Sequence, residues 1–252
     1  MKHSDRTTMG GDKSVFQTTV WSDICLVRTL DQGRRDAAIN DLIKAYWKPV
    51  YCYLRRKGLD NERAKDLTQG FFEEIVLGRQ LVQRADETKG RFRTFLLTAL
   101  DRYVTSVHRR DFAAKRRPKE GIIPLQDLDE TSVSVAAEGM SPGSTFNYVW
   151  ASELLQAVLA NVQEGCEQDG KQVHWQLFHA RVLNPIISGA EPPSLAELCE
   201  RLNVAGTVKA ENMIVTVKRR FQAALRRHIR DHVESEEDVD EEIRDLMNIL
   251  SG

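Results

Sequence analysis

Arg91, Phe92, Arg93, Arg102, Ser106, Arg109 and Arg110 all fall within residues 90–117. The chemistry open to such a set is non-covalent. Guanidinium groups take phosphate oxygens in pairs, and an aromatic or guanidinium plane can receive an unstacked base. From 91 to 117 there are eight Lys or Arg against two Asp, about +6 in a chain whose net charge is −1, so the positive charge is concentrated. Leu96, Leu100, Tyr103, Val104 and Val107 recur at spacings of four, three, one and three, which is one face of an α-helix. Arg102, Ser106, Arg109 and Arg110 lie largely off that face. The expected element is a helix that buries its apolar side and turns its basic side outward. The plainer explanation of the charge run is a solvated face on a helical bundle.

A second basic set comprises Thr207, Lys209, Asn212, Thr216, Lys218, Arg219 and Arg220. Between 209 and 230 there are seven Lys or Arg and one Glu, about +6 again. Ser194 and Glu197 match the S-x-x-E capping box, and Leu195, Leu198, Cys199 and Leu202 follow at i, i+3, i+4 and i+7, so a short helix starts there. Gly206 permits a turn, after which Met213, Val217, Phe221, Ala224, Leu225 and Ile229 form the stripe of a longer helix. A short helix, a glycine-containing turn and a longer basic helix make the pattern of a helix-turn-helix, although any basic helical hairpin can imitate it.

A third set is polar rather than basic. Asp66, Gln69, Glu73 and Glu74 lie on other faces of a helix whose buried stripe is Ala64, Leu67, Phe71 and Ile75, with Asp60 as its expected N-cap. Gly70 in mid-helix costs about 1 kcal/mol relative to Ala, so either the helix is locally weakened or another backbone approaches it closely.

These elements divide an all-α chain into two helical domains. Residues 1–15 are polar, with nothing to bury, and read as a disordered N-terminus. The first helical domain covers 16–117, opened by an apolar anchor at Phe16, Val20, Trp21 and Ile24. Its helical segment around 36–58 is interrupted by Pro49 and reads as a hairpin or as one kinked helix. Residues 118–145 are rich in Gly, Pro and Ser, lose periodicity and carry Asp127, Asp129 and Glu130. At roughly 28 residues this is long for a connection inside one compact domain, so it reads as an acidic flexible linker. The second domain, 146–230, ends in the helix-turn-helix, and 231–252 is an acidic tail with a short amphipathic helix.

Composition excludes several classes. With 252 residues and 41% apolar content there is enough to bury one large core or two modest ones. No apolar run approaches a membrane span and no secretory leader is visible, so no membrane association and a cytoplasmic location are expected. Cys25, Cys52, Cys166 and Cys199 form no CxxC pair, and His174 and His179 are wrongly spaced to share a metal on a helix. No phosphate loop, carboxylate pair beside a His or partnered nucleophile is present, so no enzyme, catalytic residue, metal or cofactor is expected.

The segments AYWKPVYCYLRRKG (45–58), DLTQGFF (66–72), GRFRTFLLTAL (90–100), SLAELCERLNV (194–204) and VKRRFQAALRRHI (217–229) carry a resemblance. Across roughly 16–229 the chain resembles an extracytoplasmic-function sigma factor of the sigma-70 family, of the planctomycete type. The resemblance implies a subunit that binds RNA polymerase core and directs promoter-specific initiation. By that likeness Asp66, Gln69 and Glu73 dock on the β′ clamp helices, although Gly70 stands where the family usually has Glu. Arg91, Phe92, Arg93, Arg102, Ser106, Arg109 and Arg110 would read and open the minus-10 element. Thr207, Lys209, Asn212, Thr216, Lys218, Arg219 and Arg220 would read the minus-35 element in the major groove. The implied partners are polymerase core through the β′ clamp helices and the β flap, promoter DNA, and an anti-sigma or other regulatory protein. The alternative is a stand-alone helix-turn-helix transcriptional regulator, which has no need of DLTQ or GRFRTFLL.

From 231 to 252 nine Asp or Glu face Arg244 alone, about −8 directly after a +6 helix. Val239, Ile243, Leu246, Met247 and Leu250 give the tail an apolar stripe. Two expectations follow. The tail is a solvated terminal helix, or it partly covers the basic helix that precedes it.

Overall fold

The computed structural model describes residues 32–77, 92–114, 139–230 and 236–251, and among them every regular element is helical. The elements are α1 (Gln32–Arg56), α2 (Asn61–Phe71), which continues into a π-helical turn (Phe72–Leu77), α3 (Phe92–Ala114), α4 (Pro142–Gln168), α5 (Gln172–Phe178) with a π-helical turn (His179–Leu183), α6 (Asn184–Ser188), α7 (Leu195–Leu202), α8 (Thr207–Arg230) and α9 (Glu236–Ser251). The chain divides into two compact units, Met1–Leu154 with His232–Gly252, and Leu155–Asp231. The expected disordered segment 1–15, the anchor at Phe16 to Ile24, Cys25 and most of the linker lie outside the described residues.

Unit 1 packs α1, α2, α3, the first half of α4 and α9. Pro49 does not split α1, which runs through it as one helix with Ala45, Tyr46, Val50 and Leu54 all buried. The hydrogen bond that proline removes is outweighed by an apolar face that is continuous across it. Asp60 caps α2, its carboxylate accepting from the Arg63 N–H at 2.8 Å. Tyr46 is the centre of an aromatic cluster, edge-on to Phe92 at 5.5 Å and stacked with Phe146 at 6.2 Å between ring centroids. Burial lifts its phenol well above the ordinary tyrosine range. The Lys48–Glu153 ion pair ties α1 to α4. Lys57 and the Tyr53 hydroxyl both donate to Asp101, at 2.9 and 2.8 Å, and hold its carboxyl below the usual range.

The division between the units differs from the expected one at 145/146. It comes at 154/155, inside α4. That helix begins at Pro142, where Ser141 Oγ accepts from the Ser144 N–H at 3.1 Å, and residues 142–154 belong to unit 1. The reason is packing: Phe146, Trp150, Ala151 and Leu154 are all buried, and Phe146 lies on Tyr46.

Gly70 has a specific cause. A Cβ at this position would meet the Tyr103 hydroxyl of α3 at 2.5 Å, with the ring carbon behind it at 3.7 Å. What approaches is a side chain, not a backbone, and Tyr103 is itself held edge-on to Phe71 at 5.6 Å. Gly70→Ala should therefore destabilise the parent protein. In a Tyr103→Phe background the nearest atom is at ordinary contact distance, and the same change should stabilise by about 1 kcal/mol through helix propensity. Urea denaturation of the four proteins checks this reversal of sign.

In unit 2, Val162, Cys166, Leu177, Phe178, Leu198, Cys199, Ala210, Ile214 and Val217 are buried together in one core cluster. The capping box is present: Ser194 Oγ accepts from the Glu197 N–H, and Glu197 accepts from the Ser194 N–H, both at 3.2 Å. Asn203 (φ 52) ends α7 in the left-handed region, and Gly206 (φ 89) reverses the chain into α8. Cys52, Cys166 and Cys199 are buried, and burial pushes the Cys52 thiol up to about 11, away from nucleophilic character.

Candidate nucleic-acid interface

On α3, Leu96, Leu100, Tyr103 and Val104 are buried, as the apolar periodicity requires, and Arg102, Ser106, Arg109 and Arg110 are exposed. At 100° per residue Arg102, Ser106 and Arg109 fall within roughly 60° of arc on the side away from the core. Arg110 stands next to them and donates to Glu74 at 3.2 Å, so part of its charge is already engaged. Arg63 pairs with Asp111 at 2.5 Å, a second tie from α2 to α3. Arg91 lies outside the described residues.

Phe92 and Arg93 do not join this face. Phe92 is 4% exposed and packs on Tyr46, so it is a core ring, not a platform awaiting an extruded base; Phe95, beside it at 6.3 Å, is only half-buried. Arg93 is 7% exposed, its guanidinium 4.5 Å from the Trp150 ring centroid. It donates to Glu242 and also reaches Asp245 at 3.4 Å. Sequence reasoning missed this because the partners lie about 150 residues downstream and nothing local signals them. The acidic helix α9 thus belongs to unit 1, with Val239 and Leu246 buried.

On α8, Thr207, Lys209, Asn212, Lys218 and Arg219 are exposed and Thr216 is half-buried, its hydroxyl donating to the Asn212 carbonyl at 2.8 Å. Lys209, Asn212, Thr216 and Arg219 recur at three, four and three and form one outward row opposite the buried Ala210, Ile214 and Val217. Lys218 and Thr207 sit roughly half a turn round from Lys209, so they do not share that row. Arg220 serves the fold: it pairs with Asp169 at 2.6 Å and reaches the Gly165 carbonyl at 3.4 Å, clasping α8 to the end of α4. Val208 and Val215, exposed on the flank of the row, escaped sequence reasoning. The signal was available, since both lie off the buried stripe.

Asp66, Gln69 and Glu73 are exposed along α2 and the turn after it, and Gln69 donates to Glu73 at 2.8 Å. The three thus form one polar strip on the side of α2 away from Ala64, Leu67 and Phe71. Among the described residues no group of three or more His, Cys, Asp or Glu could hold a metal ion, and no helix is long and apolar enough to cross a membrane. Comparison of the chain with protein-family models, curated proteins and solved structures finds no match.

Proposed function

We propose that this protein is a dissociable promoter-specificity subunit of RNA polymerase, similar to extracytoplasmic-function sigma factors and acting in the cytoplasm. The observation that carries the reading is the outward row Lys209, Asn212, Thr216 and Arg219 on α8, directly after the turn at 203–206. A helix fits the major groove, where Lys and Arg bond guanine edges and Asn bonds adenine. Val208 and Val215 beside the row suit thymine methyl groups. The exposed Arg102, Ser106 and Arg109 of α3 suit a second stretch of DNA backbone, and the Asp66–Gln69–Glu73 strip suits docking on polymerase core. The role is binding and positioning, with no bond made or broken and no cofactor needed.

Pull-down with polymerase core tests it. Asp66→Arg should abolish retention on core, and retention unchanged with the helical circular dichroism intact would overturn the reading. The same experiment separates it from a stand-alone regulator, whose promoter binding would need no core and would ignore Asp66→Arg. Replacing Lys209 or Arg219 by Gln should cost about 1–3 kcal/mol of discrimination at the base pair each contacts, measured by binding to single-base variants of the site.

A further inference from the structure

Beside the row on α8, unit 2 carries a cationic cluster that reaches onto α5. Lys209 and Arg220 are eleven residues apart on α8, which puts them within about 20° of each other around the helix and about 17 Å apart along it. The α5 helix packs on α8, and its Leu177 and Phe178 share a buried cluster with Ile214 and Val217. Asp169 fixes the turn before α5: it accepts from Arg220 at 2.6 Å and pairs with Lys171 at 3.5 Å. The Lys171 N–H is bonded to the Cys166 carbonyl at 2.7 Å. His174, three residues on, is half-buried and senses the charges of Lys171, Arg220 and Lys209 together, so it stands between the two ends of that line. Partial burial first, and then these three cations, hold its imidazole below the usual histidine range, so at neutral pH it is uncharged. The π-helical turn that follows α5 brings His179, about 140° round the helix from His174, and Arg181, whose guanidinium is turned to the Pro192 and Pro193 carbonyls at 3.0 and 2.9 Å. The three charges that act on His174 are thus positive, and Asp169 is already shared between two of them.

We propose that His174 and Lys171 form a phosphate-binding site for the backbone of duplex DNA on the α5 flank of the α8 row, and that His174 enters the contact as imidazolium. A helix seated in the major groove, which is about 12 Å wide, has a sugar-phosphate strand on either side. Lys209 is the edge of the row nearest α5, because Arg220 and the partly buried Met213 continue the helical wheel from there toward the core. The strand on that side therefore runs past Lys171 and His174. Lys171 has three N–H groups, of which Asp169 engages one at 3.5 Å, and an imidazolium donates from both ring nitrogens. A phosphate oxygen supplies the negative charge that the cluster lacks, so its arrival raises the proton affinity of His174. Such contacts fix the register of the protein on the duplex and do not read bases. The proposal rests on the promoter-binding reading and adds a pH dependence to it. The imidazolium's contribution is complete below the pKa of His174 in the free protein, and it is lost as pH rises through the higher value in the complex.

The test uses the full chain and a short fluorescein-labelled duplex of arbitrary sequence, followed by anisotropy from about pH 8 to about pH 5.5, a span that brackets the histidine range. If phosphate raises His174 by one pKa unit, the parent's affinity should gain about tenfold more over that descent than the affinity of His174→Gln. Titration of the other histidines is common to both proteins and cancels in the comparison. Lys171→Gln should lower the slope of log affinity against log salt by about 0.9. In the parent, the His174 ring resonance followed by NMR should titrate at higher pH with saturating duplex than without it, and should not move with inorganic phosphate at the same ionic strength. Equal gains in parent and His174→Gln, a salt slope untouched by Lys171→Gln, or a His174 titration indifferent to duplex would each overturn the proposal. An equal rise with inorganic phosphate would overturn the assignment to DNA. The NMR titration needs no substitution, so a variant that fails to fold does not protect the idea. A protein that gives the expected responses but is not retained on polymerase core keeps the site and loses the promoter-specificity reading, and retention on core without those responses does the reverse.

Discussion

Phe146→Ala should lower the stability of the protein by about 3–5 kcal/mol, the range for deleting a fully buried phenyl ring. The Phe146 side chain is completely buried, stacked 6.2 Å from Tyr46, which in turn meets Phe92 edge-on. Removing it takes away the transfer free energy of the ring and leaves a cavity among aromatic neighbours that cannot collapse without leaving their rotamers. Chemical denaturation followed by circular dichroism measures the loss. A loss below about 1 kcal/mol, the level of an ordinary surface position, would contradict the placement of 142–154 in the core of unit 1.

That position shows where sequence reasoning stops. Asp60 as an N-cap, Ser194 with Glu197 as a capping box, and the stripes through Leu96 to Val104 and Leu195 to Leu202 were all legible, because each depends on residues within two helical turns. The role of Phe146 was not, because its partner Tyr46 is 100 residues away in the chain and the Gly- and Ser-rich stretch before it resembles a linker. Gly70 was legible as an anomaly, and only the placement of Tyr103 explains it. For the candidate interface the exposed arginines of α3 could be read from the helical wheel, whereas the burial of Arg93 and Phe92 depended on what packs over them. The pairing of Arg220 was hidden for the same reason, since Asp169 lies about 50 residues upstream and nothing local signals it.

The second large effect concerns the hairpin of α7 and α8. Leu198→Ala should cost about 2–5 kcal/mol, because this side chain is 1% exposed and shares a core with Leu177, Ile214 and Val217. Ser194→Ala, which removes the cap of the same helix, should cost only about 1 kcal/mol. The two together separate packing from local helix start. Thermal melts should rank Leu198→Ala well below Ser194→Ala. An equal ranking would mean that α7 is held by its cap rather than by the core, and that the row on α8 lacks the rigid support assigned to it.

Unit 1 is assembled from two separate runs of chain, Met1–Leu154 and His232–Gly252, with all of unit 2 between them. On the ribosome this imposes an order of events. At roughly 5–20 residues per second, the eighty or so residues that separate Leu154 from α9 take about 4–16 s to make. For that interval Arg93 and Trp150 exist without Glu242 and Asp245, in a nascent chain whose first helices are already out. Each newly made molecule therefore passes through a stage of life in which Arg93 has yet to meet these two carboxylates, before the helix that carries them has been translated.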